Sequence, residues 1–435
     1  MSRFLLLPLL TLPLSILPAH AANLLLCPGA PLASPGAVTQ DYATPDGQRL
    51  RAIVTDETGK PEPACRSVPL GVAASGVQAL HFLPPDARPG ATILLQGEDR
   101  DQRFKVTSHQ LERDTPPPPS PPATPDARRR DAPRSTWAWS PNAWRERAER
   151  LLDWATERRI TEVFINVPVR AGQVAEPALL AAFVRQAQAR GIGVIAFEDD
   201  PTLLLPASRP DAVARLHAYA AYNEKAQPAA RLQAVQLDIQ PQLVDPEVLP
   251  EAERDARYLE LAAALRQAGA SLRLDFVVPA AWSDKNQVLR GLARHADSLT
   301  VRNYRTDPAR IVRYAAPFLD WGMEHGKKVR IALEAGPVGA GVEREYRRLD
   351  QGAKGDLLLY EVGGQKVLVL LTVPGAQKDE QVRATPYALR TARDIAGPET
   401  TFHADKAALM RLLPRLEQTL GAWSSFGGIA LHELR

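Results

Sequence analysis

Several short segments of the sequence alternate between apolar and polar residues, and some of the polar residues are acidic. In one such segment the apolar residues alternate with Gln236, Asp238 and Gln240, which therefore share one face of a strand. Asp275 and Glu334 hold the same kind of position in two later segments. Carboxylates are costly to bury unless they are paired or take part in chemistry. We therefore predict Asp238 and Glu334 as functional acids and Asp275 and Gln240 as ligand-binding groups.

Aromatic and further polar side chains are predicted at the ends of the same segments. Flat aromatic faces there would suit stacking on sugar rings, and core packing is the alternative for each of them. The predicted ligand-binding set adds these residues: Trp137, Trp139, Trp282, Tyr304, Arg302 and His432.

A purely structural interpretation of the inward acids stays open. Glu334 could pair with Arg302 or Arg330 inside the fold, and Asp238 could be held in the same way.

The elements that must position these residues alternate between strand and helix from about residue 134 to residue 435. Eight strand-like segments with intervening helices predict an α/β fold, a (β/α)8 TIM barrel, whose active site would lie at the carboxyl ends of the strands. A doubly wound open sheet is the alternative, but no glycine-rich phosphate loop follows the first strand. A β-hairpin around Gly363-Gly364, near residues 356–374, is predicted as an insertion in the last βα unit.

The beginning of the chain predicts export. Residues 1–21 combine Arg3, an apolar run and Ala19-His20-Ala21, as in a cleaved secretory signal peptide. An uncleaved anchor, or a lipoprotein modified at Cys27, is the alternative. Cys27 and Cys65 are predicted to form a disulfide in an oxidising compartment, which makes the protein periplasmic or secreted.

Two further regions precede the barrel. Residues 22–112 contain short strand-like runs separated by Gly and Pro, which predicts a small β-rich, sandwich-like domain with either an accessory or a partner-binding role. Residues 113–133 are proline-rich, which predicts a semi-rigid exposed linker.

The segment Leu237-Asp238-Ile239-Gln240-Pro241 resembles the strand-4 Asp-x-Glu signature of chitinase-like glycoside hydrolases. Arg302-Asn303-Tyr304 matches the position of that family's strand-6 Tyr, and Gly428–His432 is similar to the closing strand of many barrel glycosidases. The chain also resembles uncharacterised bacterial barrels known only as glycoside hydrolase-like. The resemblance spans roughly residues 134–435.

One departure from that family decides between two functions. Gln240 stands where the family has the Glu that protonates the glycosidic oxygen, and an amide cannot act as that acid. Since many barrel glycosidases carry carboxylates on strands 4 and 7, the resemblance still allows Asp238 and Glu334 to act in an exported hydrolase of a polysaccharide or oligosaccharide. The alternative is a catalytically inactive glycan-binding barrel in envelope or exopolysaccharide processing.

Other classes of function fit the sequence less well. Glu198-Asp199-Asp200 resembles the Asp-Asp motif of metal-dependent polysaccharide deacetylases, but the sequence lacks the His pair spaced i, i+4 that they need. Asp199 and Asp200 are instead expected to cap the loop or to contact sugar hydroxyls. No Gly-x-Ser-x-Gly motif is present, and a net charge of +3 gives no reason to expect nucleic acid. We expect no metal, no cofactor and no membrane span after signal removal.

Overall fold

The computed structural model describes residues 21–29, 37–44, 48–56, 64–100, 103–112, 133–245, 247–250, 253–376 and 384–434. The predicted signal segment, residues 1–21, and the predicted linker, residues 113–133, lie outside this part except for the last position of each. None of the helices in the described part combines the length and the apolar content that a membrane span needs.

The chain begins with a four-stranded antiparallel sheet. Its strands are β1 (Asn23–Pro28), β2 (Thr39–Ala43), β3 (Arg49–Thr55) and β4 (Arg66–Pro69), in the order β2-β3-β1-β4. A disulfide joins Cys27 to Cys65 and so links β1 to the residue before β4. Three further strands follow: β5 (Val77–Leu83), β6 (Thr92–Arg100) and β7 (Arg103–Glu112).

The next part of the chain builds most of a parallel barrel. Its strands are β8 (Arg134–Ala138), β9 (Glu162–Ile165), the small ribbon β10 (Val169–Arg170) and β11 (Gln173–Val174), β12 (Gly193–Glu198), β13 (Ala234–Leu237), β14 (Leu274–Pro279), β15 (Ser298–Arg302) and β16 (Lys328–Glu334). Its helices are α1 (Asn142–Arg145), α2 (Ala148–Glu157), α3 (Pro177–Ala189), α4 (Arg209–Lys225), α5 (Arg254–Ala268), α6 (Asn286–Leu292) and α7 (Pro308–His325).

Four strands interrupt the last unit before the barrel closes. They are β17 (Val342–Arg348), β18 (Gly355–Val362), β19 (Gln365–Gly375) and β20 (Ala384–Asp394), and they precede α8 (Lys406–Leu420) and β21 (Phe426–His432). The barrel order is β12-β13-β14-β15-β16-β21-β8-β9, closed on itself. The predicted (β/α)8 fold is therefore confirmed.

The insertion is larger than the predicted hairpin and is not isolated. The four inserted strands join β5, β6 and β7 in one seven-stranded sheet, in the order β5-β19-β18-β20-β17-β6-β7. The strands of the predicted N-terminal β-rich domain therefore share a sheet with the insertion. In this sheet β5 pairs with β19, and β6 pairs with β17. A buried Glu343 on β17, paired with Arg305 and Arg310, ties this sheet to the barrel.

The barrel strands alternate as predicted. On β13, Val235 and Leu237 pack in the main core towards the helices, whereas Gln236 points into the barrel and is fully buried. A separate interior cluster holds Trp137, Phe164, Ile195, Phe197, Ala332 and Ala430. The barrel interior is therefore filled by side chains, and ligands can reach only its mouth.

Candidate functional site

The carboxyl ends of β16 and β21 bring a carboxylate and an imidazole together. Glu334 and His432 are paired in the parallel register, and Oε2 of Glu334 lies 2.8 Å from Nδ1 of His432. The backbone N–H of Gly336 donates to Oε1 of Glu334 over 2.6 Å, and Tyr304 contacts the same carboxylate. Glu334, Tyr304 and His432, all predicted from sequence, thus form one cluster at the mouth.

The pKa of Glu334 lies below its ordinary value although the side chain is buried. Burial by itself would raise this pKa, but the hydrogen bond and the charge of His432 lower it, and Gly336 and Tyr304 add to that effect. Conversely, burial raises the pKa of Tyr304, and the charges of Glu334 and Asp238 raise it further, against the opposing charge of Arg302. The cluster therefore holds an ionised Glu334 beside a neutral phenol at neutral pH.

Aromatic rings surround His432 on the barrel side. Its ring centroid lies 5.3 Å from Trp137, 5.0 Å from Trp139 and 6.1 Å from Tyr304. Trp137 is only 3% exposed, and its Nε1 donates to Oε1 of Gln236 over 2.7 Å. The structure therefore places Trp137 in the barrel core instead of at the sugar-binding surface predicted for it, whereas Trp139 stays half-buried at the mouth.

Trp282 also differs from the stacking role predicted for it. It is 7% exposed, packs edge-on against Tyr258 at 5.0 Å, and has the Lys285 ammonium 5.2 Å from its ring centroid. Protein groups thus already cover most of this ring. Its indole forms part of the wall beside the mouth and is not an open platform.

Asp238 follows β13 and points into the mouth beside Arg302. The residue is 2% exposed, and its Oδ1 lies 3.6 Å from Nη1 of Arg302. Within the described part of the chain, this Oδ1 accepts no hydrogen bond. A buried carboxylate oxygen with no hydrogen-bond donor is costly, and it is the arrangement expected where a ligand supplies the missing partner.

Asp275 lies deeper in the barrel than the position predicted for a ligand-binding residue. Its carboxylate accepts hydrogen bonds from Ser298 at 2.6 Å, Thr300 at 2.7 Å and Gln236 at 2.8 Å, and Nη1 of Arg330 lies 3.4 Å away. The register explains this depth, because Asp275 pairs with Gln236, two positions before Asp238. The structure gives Asp275 protein partners on both oxygens.

The acids after β12 separate by face. Asp200 caps the turn that follows, since its Oδ1 accepts from the backbone N–H of Thr202 at 2.8 Å, which matches the capping role considered for it. Asp199 is largely exposed and lies near enough to Asp238 to feel its charge. Burial raises the pKa of Asp199, and the charge of Asp238 raises it further. Gln240, in the loop after β13, accepts a hydrogen bond from Gln242 over 3.1 Å.

A cavity of about 870 Å³ adjoins the mouth on the side of β13, β14 and β15. Gln240, Trp282, Arg302 and Tyr304 line its barrel side. Residues from the N-terminal strands, among them His81, line its other side. The cavity therefore lies between the barrel mouth and the β-rich region.

Two residues that line this cavity, His81 and His109, and the neighbouring Asp284 were not predicted from sequence. Nε2 of His81 lies 2.7 Å from Nδ1 of His109, and Nε2 of His109 lies 2.6 Å from Oδ2 of Asp284. His81 and His109 belong to β5 and β7, whereas Asp284 follows β14 in the barrel. No motif links positions so far apart, and only the packing of the two regions brings them together.

In the part of the chain that the structure describes, no three or more His, Cys, Asp or Glu side chains are arranged to hold a metal ion.

Among known proteins, the chain is similar to solved structures. No family model and no curated protein matches the chain. A GH18 chitinase from Pseudoalteromonas aurantia is 12% identical, with a TM-score of 0.37, over 68% of this chain and 93% of that one. The spore cortex-lytic enzyme SleL of Bacillus megaterium is 10% identical, with a TM-score of 0.37, over 75% of this chain and 73% of that one.

A plant class V chitinase from Cycas revoluta is 11% identical, with a TM-score of 0.35, over 69% of this chain and 94% of that one. Likenesses of this size concern the fold, which the strand order of the barrel establishes independently. By its own strand order the chain is a (β/α)8 barrel, and the solved structures to which it is similar include chitinases, in line with the predicted resemblance.

Proposed function

We propose that this protein is an exported glycoside hydrolase that acts on a polysaccharide, with Asp238 and Glu334 as its working carboxylates. The observation that carries the proposal is the pair of inward acids at the barrel mouth. Asp238 is buried with an oxygen that accepts no hydrogen bond among the described residues, and Glu334 is held ionised by His432. Hydrolysis of a glycosidic bond commonly uses a pair of carboxyl groups that flank the bond.

The groups around these carboxylates suit a neutral, hydroxyl-rich substrate. Arg302, Tyr304 and Gln240 line the cavity beside the mouth and can donate hydrogen bonds to sugar oxygens. The cavity of about 870 Å³ falls in the size range of small-molecule sites. Since it extends from the mouth towards the N-terminal strands, it offers room for more than the sugar at the scissile bond.

Export is supported by two features of the chain. The first residues combine a basic start, an apolar run and a small-residue cleavage site. The disulfide between Cys27 and Cys65 is of the kind that persists in oxidising compartments. We therefore place the protein in the periplasm or outside the cell, and expect the exported protein to begin at Ala22.

The deciding experiment starts from the full chain expressed in an export-competent bacterium. The N-terminal mass of the purified protein tests cleavage after Ala21. A glycan-array screen then finds ligands, and reducing-end assays measure turnover of every ligand found. We expect turnover that falls by about a hundredfold or more in Asp238→Asn and in Glu334→Gln, the size usual for loss of an acid–base group.

The control variant is Glu224→Gln, an exposed position on α4. It is expected to keep wild-type turnover. Binding without turnover would contradict the proposal and support the inactive glycan-binding barrel that Gln240 suggests. Neither binding nor turnover would mean that the acids at the mouth are structural.

A further inference from the structure

The proposed hydrolysis needs a proton donor that Gln240 cannot supply. Its side chain is an amide, and it lies in the loop beyond the end of β13. Glu334 is not a donor either, because its surroundings keep it ionised. The acid has to come from another group that reaches the mouth, and this step of the argument rests on the proposed function.

The register of β12 and β13 puts a second carboxylate next to Asp238. Phe197 pairs with Gln236, and both point into the barrel. Asp199 and Asp238 follow directly after these two strands, two positions beyond that pair, so the alternation directs both side chains to the same inner side. The backbone N–H of Asp238 donates to the carbonyl of Glu198 over 2.8 Å, which continues the ladder up to this pair. Neighbouring strands lie about 4.8 Å apart.

Glu198, which stands between Phe197 and Asp199, shows that the alternation holds to the end of β12. Glu198 points outward, where its Oε1 accepts from Nε of Arg215 on α4 over 2.7 Å and contacts the hydroxyl of Tyr219. By this alternation we expect the side chain of Asp199 on the opposite face, towards the mouth. Asp200 turns away again and caps the following turn.

The surroundings of Asp199 and Asp238 favour a proton on one of the two carboxylates. Asp238 is 2% exposed, its Oδ1 accepts no hydrogen bond in the described part of the chain, and Nη1 of Arg302 is 3.6 Å away. Two neighbouring carboxylates cannot both ionise freely in such surroundings, so one of them retains a proton to higher pH. Asp199 is the exposed member of the pair and can reach a ligand in the mouth.

The direction of its titration agrees with this geometry. Burial raises the pKa of Asp199, the charges of Asp238 and Asp200 raise it further, and a backbone hydrogen bond and Arg215 oppose them. The other titratable groups that act on Asp238 come from two segments: Arg302 and Tyr304 at the end of β15, and Tyr258 on α5.

We infer that Asp199 carries the proton of an Asp199–Asp238 pair and donates it to the leaving oxygen of the glycan, with Asp238 positioned to keep that proton on its neighbour. The bond between the anomeric carbon and the leaving oxygen breaks, its electron pair stays on the oxygen, and that oxygen takes the proton. Water then adds its hydroxyl to the anomeric carbon, and its other proton restores the carboxylic acid. Glycoside and water thus become a hemiacetal, the new reducing end, and an alcohol, and no other reactant is consumed.

The first test does not depend on turnover. The full chain, labelled with carboxyl-13C aspartate, is titrated by NMR, and Asp199→Asn identifies the signals of the pair. We expect these signals to titrate in two steps, the upper one well above the ordinary Asp pKa of about 3.9. In Asp238→Asn the upper step should move down towards that value. A single ordinary step that Asp238→Asn leaves in place would overturn the inference.

The second test compares leaving groups. On oligosaccharides, Asp199→Asn should reduce kcat/KM by about a hundredfold to ten-thousandfold, because an alcohol leaves poorly without an acid. On aryl glycosides with a dinitrophenol leaving group, the loss should be below about tenfold, since that oxygen needs no proton. An equal loss on both substrates would contradict the role of Asp199 as acid.

The two tests separate the inference from the proposed function. A wild-type protein that hydrolyses no glycan would sink the proposed function, while the titration would still decide whether the pair shares a proton. Asp199→Glu provides the conservative variant, and it should restore part of the activity on oligosaccharides. Activity on oligosaccharides that is unchanged in Asp199→Asn would overturn the inference and leave the proposed function standing.

Discussion

The carboxylate of Glu334 lies 2.8 Å from Nδ1 of His432, and the two residues end neighbouring strands of the barrel, β16 and β21. Because Glu334 is buried, its negative charge depends on this contact and on the Gly336 N–H. The contact also fixes the imidazole between Trp139 and Tyr304. The contact between Glu334 and His432 thus bears on both the charge of the mouth and the arrangement of its aromatic rings.

The lowered pKa of Glu334 predicts a pH dependence of stability. A carboxyl whose folded-state pKa is depressed stabilises the fold above its unfolded pKa of about 4.3, and this contribution is lost as pH falls through the folded pKa. We expect the free energy of unfolding in urea to fall less steeply with acidification in Glu334→Gln than in the wild type. Glu224→Gln should follow the wild-type curve, and a Glu334→Gln curve that does the same would contradict the shift.

Asp275 is predicted to stabilise the barrel without contacting ligand. Removing its charge in Asp275→Asn leaves buried Arg330 with Glu162 as its remaining carboxylate, and breaking a buried ion pair typically costs about 3 kcal/mol or more. Ser298→Ala, which removes one of its hydrogen bonds, should cost only about 1 kcal/mol. Denaturant unfolding measures both. Unchanged stability of Asp275→Asn with a raised KM would instead support the ligand-binding role predicted from sequence.

The sequence predicts which side chains of a strand point inward but not how far along the barrel each one lies. Alternation alone correctly turned Gln236, Asp238 and Asp275 to the interior. Their depth depends on register, which pairs Asp275 with Gln236 and so encloses it among protein partners. Trp137 is a similar case, since its burial follows from the Gln236 amide that its Nε1 meets across the barrel.

Contacts between distant parts of the chain were equally out of reach of local patterns. The seven-stranded sheet joins segments that are far apart in the sequence. For example, Nη1 of Arg344 donates to Oε1 of Gln78 over 2.8 Å, although the two residues are 266 positions apart. Each segment shows strand periodicity, but neither carries a signal for its partner. The cavity between the β-rich region and the barrel, with His81, His109 and Asp284, follows from that pairing and could not be predicted.

The variant Gln240→Glu carries the acid that chitinase-like glycoside hydrolases have at this position, and it tests whether the site works as theirs does. If Asp199 is the donor, Gln240→Glu should change turnover of N-acetylated oligosaccharides by no more than about twofold, because the required acid is already present. The same reducing-end assay on matched protein samples measures the change. A gain of about tenfold or more would show that position 240 reaches the scissile bond, and would favour a lapsed chitinase-like site over an acid on β12.

The seam that closes the barrel between β21 and β8 depends on Gly428. Its φ of 114° lies in the region that favours glycine, and a Cβ there would stand 2.1 Å from the Pro133 carbonyl oxygen, which accepts the N–H of Ile429 over 2.9 Å. We expect Gly428→Ala to lose about 1–3 kcal/mol of unfolding free energy from backbone strain, and more if the hydrogen bond is displaced. Gly427→Ala is the matched control, because its φ is not positive and the nearest atom is 3.2 Å away. Because β21 also carries His432, activity should fall together with stability in Gly428→Ala. Equal stability of Gly428→Ala and Gly427→Ala would contradict the prediction and show that the seam tolerates a side chain.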